Sequence, residues 1–314
     1  MRLLSSFLLL ASITGISAQQ PPPGETPTFT SDTRRVVLPV TVADKSGKLV
    51  TDLPEKAFKV YENGVEQPIK YFKREDVPIS LGLIIDNSGS MKEKRQKVET
   101  ASIDLVKASN PMDEVFIVNF NDEAYLDVEF TNDIKAMQDG LQKIDARGGT
   151  AMRDAIDKSI DYLKKEAKRQ KKVLLVVTDG NDNASTINLE RLVNRARQSE
   201  VLIFAIGLLN EEEKREARAA KRALDALTAE SGGLSFYPKG VADVDKIALQ
   251  VAHEIRNQYT IDYAPTVQQY DGSFRQIKVT VNGPGHPVAR TRTGYYATPD
   301  NAAPKKNTSQ TPSR

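Results

Sequence analysis

The stretch Leu81-Gly82-Leu83-Ile84-Ile85-Asp86-Asn87-Ser88-Gly89-Ser90-Met91 starts as an unbroken apolar run and ends abruptly in one carboxylate and two alternate hydroxyls. A short continuous apolar run bounded by polar and glycine residues reads as a strand covered on both faces, the mark of a mostly parallel sheet. The texture recurs at Val115 to Phe120, Val173 to Val177 and Val201 to Leu208. Amphipathic helical patterns alternate with these runs: Met152, Ala155, Ile156, Ser159, Ile160 and Leu163 fit one helix face, and Val244, Ile247, Ala248, Val251 and Ile255 fit another. Ala124 to Phe130 follows a strand too closely for a helical crossover and reads as an antiparallel edge strand. The expected fold class is therefore α/β, a doubly wound, mostly parallel sheet with one antiparallel edge strand.

Outside this region the apolar period shortens to two. Val36, Leu38, Val40 and Val42 alternate, as do Tyr259, Ile261 and Tyr263, then Ile277, Val279 and Val281. Phe58 to Tyr61 and Val65 to Phe72 flank Asn63-Gly64, the dipeptide best suited to a tight hairpin turn, while Pro39 and Pro68 argue for edge positions or bulges. Each flank supplies about three strands, fewer than a free-standing sheet needs, so the two flanks are expected to combine. The α/β segment is then an insertion in a small discontinuous β-sandwich-like domain. The expected divisions are residues 1–18, 19–33, 34–78, 79–257, 258–297 and 298–314.

The first two and the last of these divisions are expected to lie outside the folded part. Met1-Arg2, an apolar stretch from Leu3 and a small-residue stop at Ala18 read as a secretory signal peptide, too short and too interrupted by serine to span a bilayer. Residues 19–33 form a proline-rich spacer and 298–314 a polar tail, both read as disordered. The expected location is periplasmic or secreted, with no transmembrane segment.

Composition removes whole classes of chemistry. In 314 residues there is no cysteine, so disulfide frameworks, thiolate zinc sites and cysteine nucleophiles are out. Only His253 and His286 offer imidazoles, and neither sits in a catalytic motif. Lys+Arg 44 against Asp+Glu 42 leaves no excess of positive charge for a polyphosphate, so nucleic acid is not an expected partner. Oligomeric state is not legible.

Asp86, Ser88 and Ser90 fall at the carboxyl end of a buried strand, the edge where open α/β sheets bind ligands. Alternate positions of the turn direct oxygen donors to a common point, suited to a hard cation. Locally, Ser90 and Glu93 also match a capping box, Thr150 after Gly148-Gly149 could be an N-cap, and Asp179 after Thr178 a turn residue. All three pieces lie on the same expected sheet edge.

This constellation resembles the metal-ion-dependent adhesion site of the von Willebrand factor type A family, over roughly residues 79 to 257. The resemblance implies a Mg²⁺ site, with Mn²⁺ or Ca²⁺ as substitutes, formed by Asp86, Ser88, Ser90, Thr150 and Asp179. By the same resemblance Ser88 and Ser90 bind directly, Thr150 and Asp179 alternate between direct and water-mediated contact, and Asp86 acts largely through water and hydrogen bonds. The flanking strands and the final Gly294-Tyr295-Tyr296 resemble a bacterial exported subgroup whose members imply no established activity. An ion held mostly by neutral hydroxyls keeps its electrophilicity, so an Asp or Glu of a partner protein is the expected last ligand. The expected function is adhesion or assembly, with no catalytic residue.

Two alternatives compete. Asp179, Asn181, Asn183, Ser185 and Glu190 match the spacing of an EF-hand calcium loop, but Ala184 replaces its glycine and a strand precedes it. A metal-assisted hydrolase at the same site would need a general base that the sequence does not reveal.

Overall fold

The computed structural model describes residues 34–143, 146–209 and 214–299. The expected signal peptide, the proline-rich spacer and the tail from residue 300 onward lie outside the described residues. In chain order the strands and helices are β1 (Val36–Ala43), β2 (Phe58–Glu62), β3 (Val65–Gln67), β4 (Ile69–Arg74), β5 (Ile79–Asp86), α1 (Arg95–Lys107), β6 (Glu114–Phe120) and β7 (Ala124–Thr131). There follow α2 (Ile134–Leu141), α3 (Met152–Glu166), β8 (Lys171–Thr178), α4 (Leu189–Ser199), β9 (Leu202–Gly207), α5 (Lys214–Ser231), β10 (Ser235–Phe236) and α6 (Val244–Arg256). The chain closes with β11 (Tyr259–Tyr263), β12 (Phe274–Val281), β13 (Val288–Arg290) and β14 (Gly294–Tyr296).

The apolar runs form one six-stranded sheet in the order β10-β9-β8-β5-β6-β7. Every neighbouring pair in it is parallel except β6 with β7, the expected antiparallel edge. Each residue of β5 is buried, which explains why its run cannot alternate. Leu81, Leu83 and Ile85 pack with Val98 and Leu105 of α1 and Val251 and Ile255 of α6. Ile84 turns to the other face, with Ile156, Ile160 and Leu163 of α3. Two apolar faces, each stabilised by about 1.5–3 kcal/mol per buried aliphatic side chain, hold the carboxyl end of β5 rigidly between helices.

The flanks interleave. One four-stranded sheet runs β13-β1-β11-β4 and another β14-β12-β2-β3, so each mixes strands from both ends of the chain. Val36, Leu38, Val40 and Val42 meet Tyr259, Ile261 and Tyr263 of their own sheet and Val60, Ile277, Val279 and Tyr295 of the other in a single core. The α/β segment leaves after β4 and returns at β11, and these two strands are antiparallel neighbours. Eight strands replace the expected six. The run Val65 to Phe72 is two strands, not one, because Pro68 breaks it and sends β3 and β4 to different sheets. At Pro39, β1 pairs with β11 while β13 joins only from Thr41 onward, so the proline lies where the strand is locally an edge. Asn63 and Gly64 take φ of 49° and 82°, as the two-residue hairpin between β2 and β3 requires.

Among the described residues no helix is long and apolar enough to cross a membrane.

Candidate metal centre

β5 and β8 are parallel neighbours, so Asp86 and Thr178 emerge side by side at their carboxyl ends. Asp86 is fully buried. One carboxylate oxygen accepts the Ser88 N–H at 2.8 Å and the other the Thr178 hydroxyl at 2.6 Å. Burial pushes the Asp86 carboxyl up to about 6, against the opposing pull of the Thr178 and Ser88 hydrogen bonds. The carboxylate thus ties the first loop to the end of β8.

Gly89–Met91 form a single 3₁₀ turn, which sets the hydroxyls of Ser88 and Ser90 only 3.2 Å apart. Ser90 Oγ donates to Asp179 Oδ1 at 2.8 Å. The loop of residues 147–150 is stitched to the first loop through backbone: Gly89 N–H donates to Gly148 O at 3.2 Å and Arg147 N–H to Asn87 O at 2.9 Å. It is stitched to the loop after β8 through Thr150, whose N–H donates to Asn183 Oδ1 at 2.8 Å while its carbonyl accepts from Asn183 N–H at 3.1 Å. Thr150 is buried, and its hydroxyl lies 3.8 Å from where a Cβ on Gly180 would stand. Asp86, Ser88, Ser90, Thr150 and Asp179 therefore occupy one place at the edge of the sheet, although they span three loops.

The two capping alternatives do not form. The Ser90 hydroxyl goes to Asp179 instead of capping, and α1 has Lys94 at its N-cap with no side-chain cap bond. Ala151, not Thr150, is the N-cap of α3. That helix's first free N–H groups are met from the loop after Asp179: Arg153 N–H by Asp182 at 2.7 Å and Asp154 N–H by Ser185 Oγ at 3.0 Å. These bonds also dissolve the EF-hand reading. Asn183 and Ser185 are turned to α3 and its approach, Glu190 is exposed in α4, and the preceding element is strand β8. His253 and His286 are both exposed. His253 sits in the last turn of α6, beside Asn257. Lys171, at the start of β8, reaches the end of that same helix at Ile255 O, whereas Asp179 follows the end of β8, about 26 Å along the strand. Among the described residues no histidine hydrogen-bonds to the hydroxyl of Ser88 or Ser90.

The donor set fits a hard divalent ion. All its side-chain donors are oxygens, and among the described residues no three His, Asp or Glu side chains form a metal cage. Adjacent oxygens around an octahedral ion with bonds of about 2.0–2.1 Å lie about 2.9 Å apart, close to the spacings of 3.2 Å between the two serine hydroxyls and 2.8 Å from Ser90 to Asp179.

Three residues here play roles that the sequence reading did not assign them. Thr178 clasps Asp86, Asn183 fixes Thr150, and Lys94 places its ammonium 2.5 Å from Asp179 Oδ2. Thr178 had the clearest signal, since it ends an apolar strand immediately before Asp179.

A doubly wound sheet with side-chain oxygens gathered on the loops at its carboxyl edge defines the class: an α/β protein of the open-sheet kind, whose carboxyl edge is where such sheets place their ligands. Residues 81–250 match the family model of the von Willebrand factor type A domain, and the chain belongs to that family. Among curated proteins no sequence matches it. Solved structures similar to it include an aerotolerance-related membrane protein from Bacteroides fragilis, 16% identical with a TM-score of 0.47 over 56% of this chain and 98% of that one. The von Willebrand factor domain of the type V pili tip protein Mfa5 from Porphyromonas gingivalis is 12% identical, with a TM-score of 0.46 over 57% of this chain and 97% of the other. Proximal thread matrix protein 1 from the mussel byssus, described with a zinc-occupied adhesion-site motif, is 17% identical with a TM-score of 0.48 over 62% and 49%.

Proposed function

We propose that this chain is an exported, non-enzymatic protein-binding module for adhesion or assembly, in which residues 79–257 carry a divalent metal site and residues 34–78 and 258–297 form its supporting β-domain. Ser88 and Ser90 are the direct hydroxyl ligands, Thr150 and Asp179 close the site from the other loops, and Asp86 orients it from beneath. Mg²⁺ is the expected ion, with Mn²⁺ or Ca²⁺ as substitutes. When bound, the ion supplies a Lewis-acidic position for a carboxylate from a partner protein. Asp86 and Asp179 are the two carboxylates at the site, so the neutral hydroxyls leave room for the partner's negative charge.

The observation that carries this reading is the convergence of the five side chains, with the two serine hydroxyls 3.2 Å apart. Binding is favoured over hydrolysis because the serine hydroxyls are engaged by each other and by Asp179, with no histidine bonded to either among the described residues. Thermal melts in Mg²⁺, Mn²⁺ and EDTA test it. The parent is expected to melt several degrees higher with either ion, and Ser88→Ala and Asp86→Ala to lose that rise. An equal rise in parent and both variants would place the ion elsewhere.

A further inference from the structure

The start of α1 is charged the wrong way. A helix N-terminus favours anions, yet Lys94, Arg95 and Lys97 crowd this one, with Glu93 ahead of the N-cap and no acid in the first turn. Arg95 and Lys97 are answered nearby, by Glu99 and by Asp245 of α6. Lys94 instead reaches across to the site, where its Nζ lies 2.5 Å from Asp179 Oδ2. The Asp179 side chain is fully buried and that of Lys94 is 25% exposed. With Ser90 on Oδ1 and Lys94 on Oδ2, both oxygens of Asp179 are engaged by the protein itself.

We propose that Lys94 is a tethered cation that competes with the divalent ion for Asp179 and thereby sets the metal affinity of the site. This inference rests on the metal-site reading above and deepens it. A buried carboxylate needs a counter-charge, and Lys94 provides one when no ion is bound, so the loops hold their arrangement in metal-free protein. An incoming divalent ion meets a fixed positive charge on the same carboxylate and binds only as that ammonium withdraws. The part-exposed side chain has a path to do so, toward solvent at the rim. Weak, readily reversible metal binding follows from the sequence of this chain and not from the five oxygen donors alone.

The test is calorimetric titration of Mn²⁺ and Mg²⁺ into the full chain, with melting of the same samples in EDTA, for the parent, Lys94→Met, Lys94→Gln and Ser88→Ala. Loss of the competing charge is expected to tighten metal binding at least tenfold, about 1.4 kcal/mol, in both Lys94 variants. Metal-free Lys94→Met is expected to melt lower than the parent, because Asp179 is left buried without its partner. If it does not fold without metal, Lys94→Gln, which keeps a donor for Asp179 but no charge, carries the measurement. A merely structural lysine would lower the melting temperature without tightening metal binding, and that result overturns the inference. So does equal or weaker binding in both variants while the parent binds and Ser88→Ala does not, an outcome that leaves the metal site standing. Absence of binding in every protein overturns the metal site and the inference together.

Discussion

The chemistry of the site turns on how individual polar side chains are shared between loops. Asp86 keeps its place because the Thr178 hydroxyl and the Ser88 N–H satisfy both of its oxygens in a fully buried position. Thr178→Val preserves shape and β propensity but leaves one oxygen unmet, and is expected to destabilise metal-free protein by about 1–3 kcal/mol at neutral pH. The sign with pH is fixed by linkage. The Thr178 bond favours the ionised form, and burial already raises the Asp86 carboxyl to about 6, so the loss should shrink as pH falls through that value and Asp86 becomes neutral. Urea unfolding in EDTA at pH 5 and pH 7.5 checks this, and a loss that is larger at pH 5 would contradict it. The five converging side chains were legible because Asp86, Ser88 and Ser90 form a compact motif and Thr150 and Asp179 follow glycine and strand signals. Lys94 and Asn183 were not, since their bonds to Asp179 and Thr150 span 85 and 33 positions and leave no local periodicity.

Among the secondary elements, α6 is held at its carboxyl end by side chains from outside the helix and by its own Arg256. Lys171, at the start of β8, donates to Ile255 O at 2.5 Å, and Arg256 donates to Ala108 O at 2.8 Å and pairs with Asp76. A cation at a helix carboxyl end suits the dipole, yet desolvation brings the Lys171 ammonium down to about 8, with Asp76 and Asp113 opposing the fall. A lysine whose folded pKa lies below its unfolded value binds fewer protons when folded, so stability should rise with pH between about 8 and 10.5. Relative to Lys171→Met, the parent is expected to gain on the order of 1–2 kcal/mol over that interval, after allowance for solvent at the part-exposed side chain. Parallel denaturation curves at pH 8 and pH 10.5 provide the comparison, and an unchanged difference would contradict it. At this scale the sequence was most readable where apolar runs were longest. β6 and β9 match their runs to within one residue at each end, and β5 and β8 to within two, whereas the break at Pro68 and the three-residue strands β13 and β14 carry too few side chains to show a period.

Across the whole molecule, the sandwich and the α/β segment are joined by two ion pairs and a hydroxyl hydrogen bond from β13 and the turn that follows it. Arg290 pairs with Glu254 of α6 at 2.5 Å, Arg292 with Glu200 at 2.8 Å, and Thr293 and Arg197 share Glu230. The Glu254 side chain is only 5% exposed, and its burial raises the carboxyl while Arg290 holds it down. Arg290→Met should therefore cost about 3 kcal/mol by stranding a buried carboxylate, and Arg290→Met with Glu254→Leu should recover most of the loss. A double-mutant cycle in urea reads both steps, and additive losses would show that the pair does not couple the two parts. That the flanks combine was expected from their small strand number. Which strands alternate was not, because register and sheet order depend on contacts between Val36–Ala43 and Tyr259–Tyr263, more than two hundred positions apart.

Anomalous diffraction from crystals soaked in Mn²⁺ locates the ion itself. One peak is expected per chain, within about 2.3 Å of the hydroxyls of both Ser88 and Ser90 and on the side of Thr150 and Asp179, and it should vanish in Ser88→Ala. A peak held by Asn181, Asn183 and Glu190, or one that persists in Ser88→Ala, would contradict the assignment.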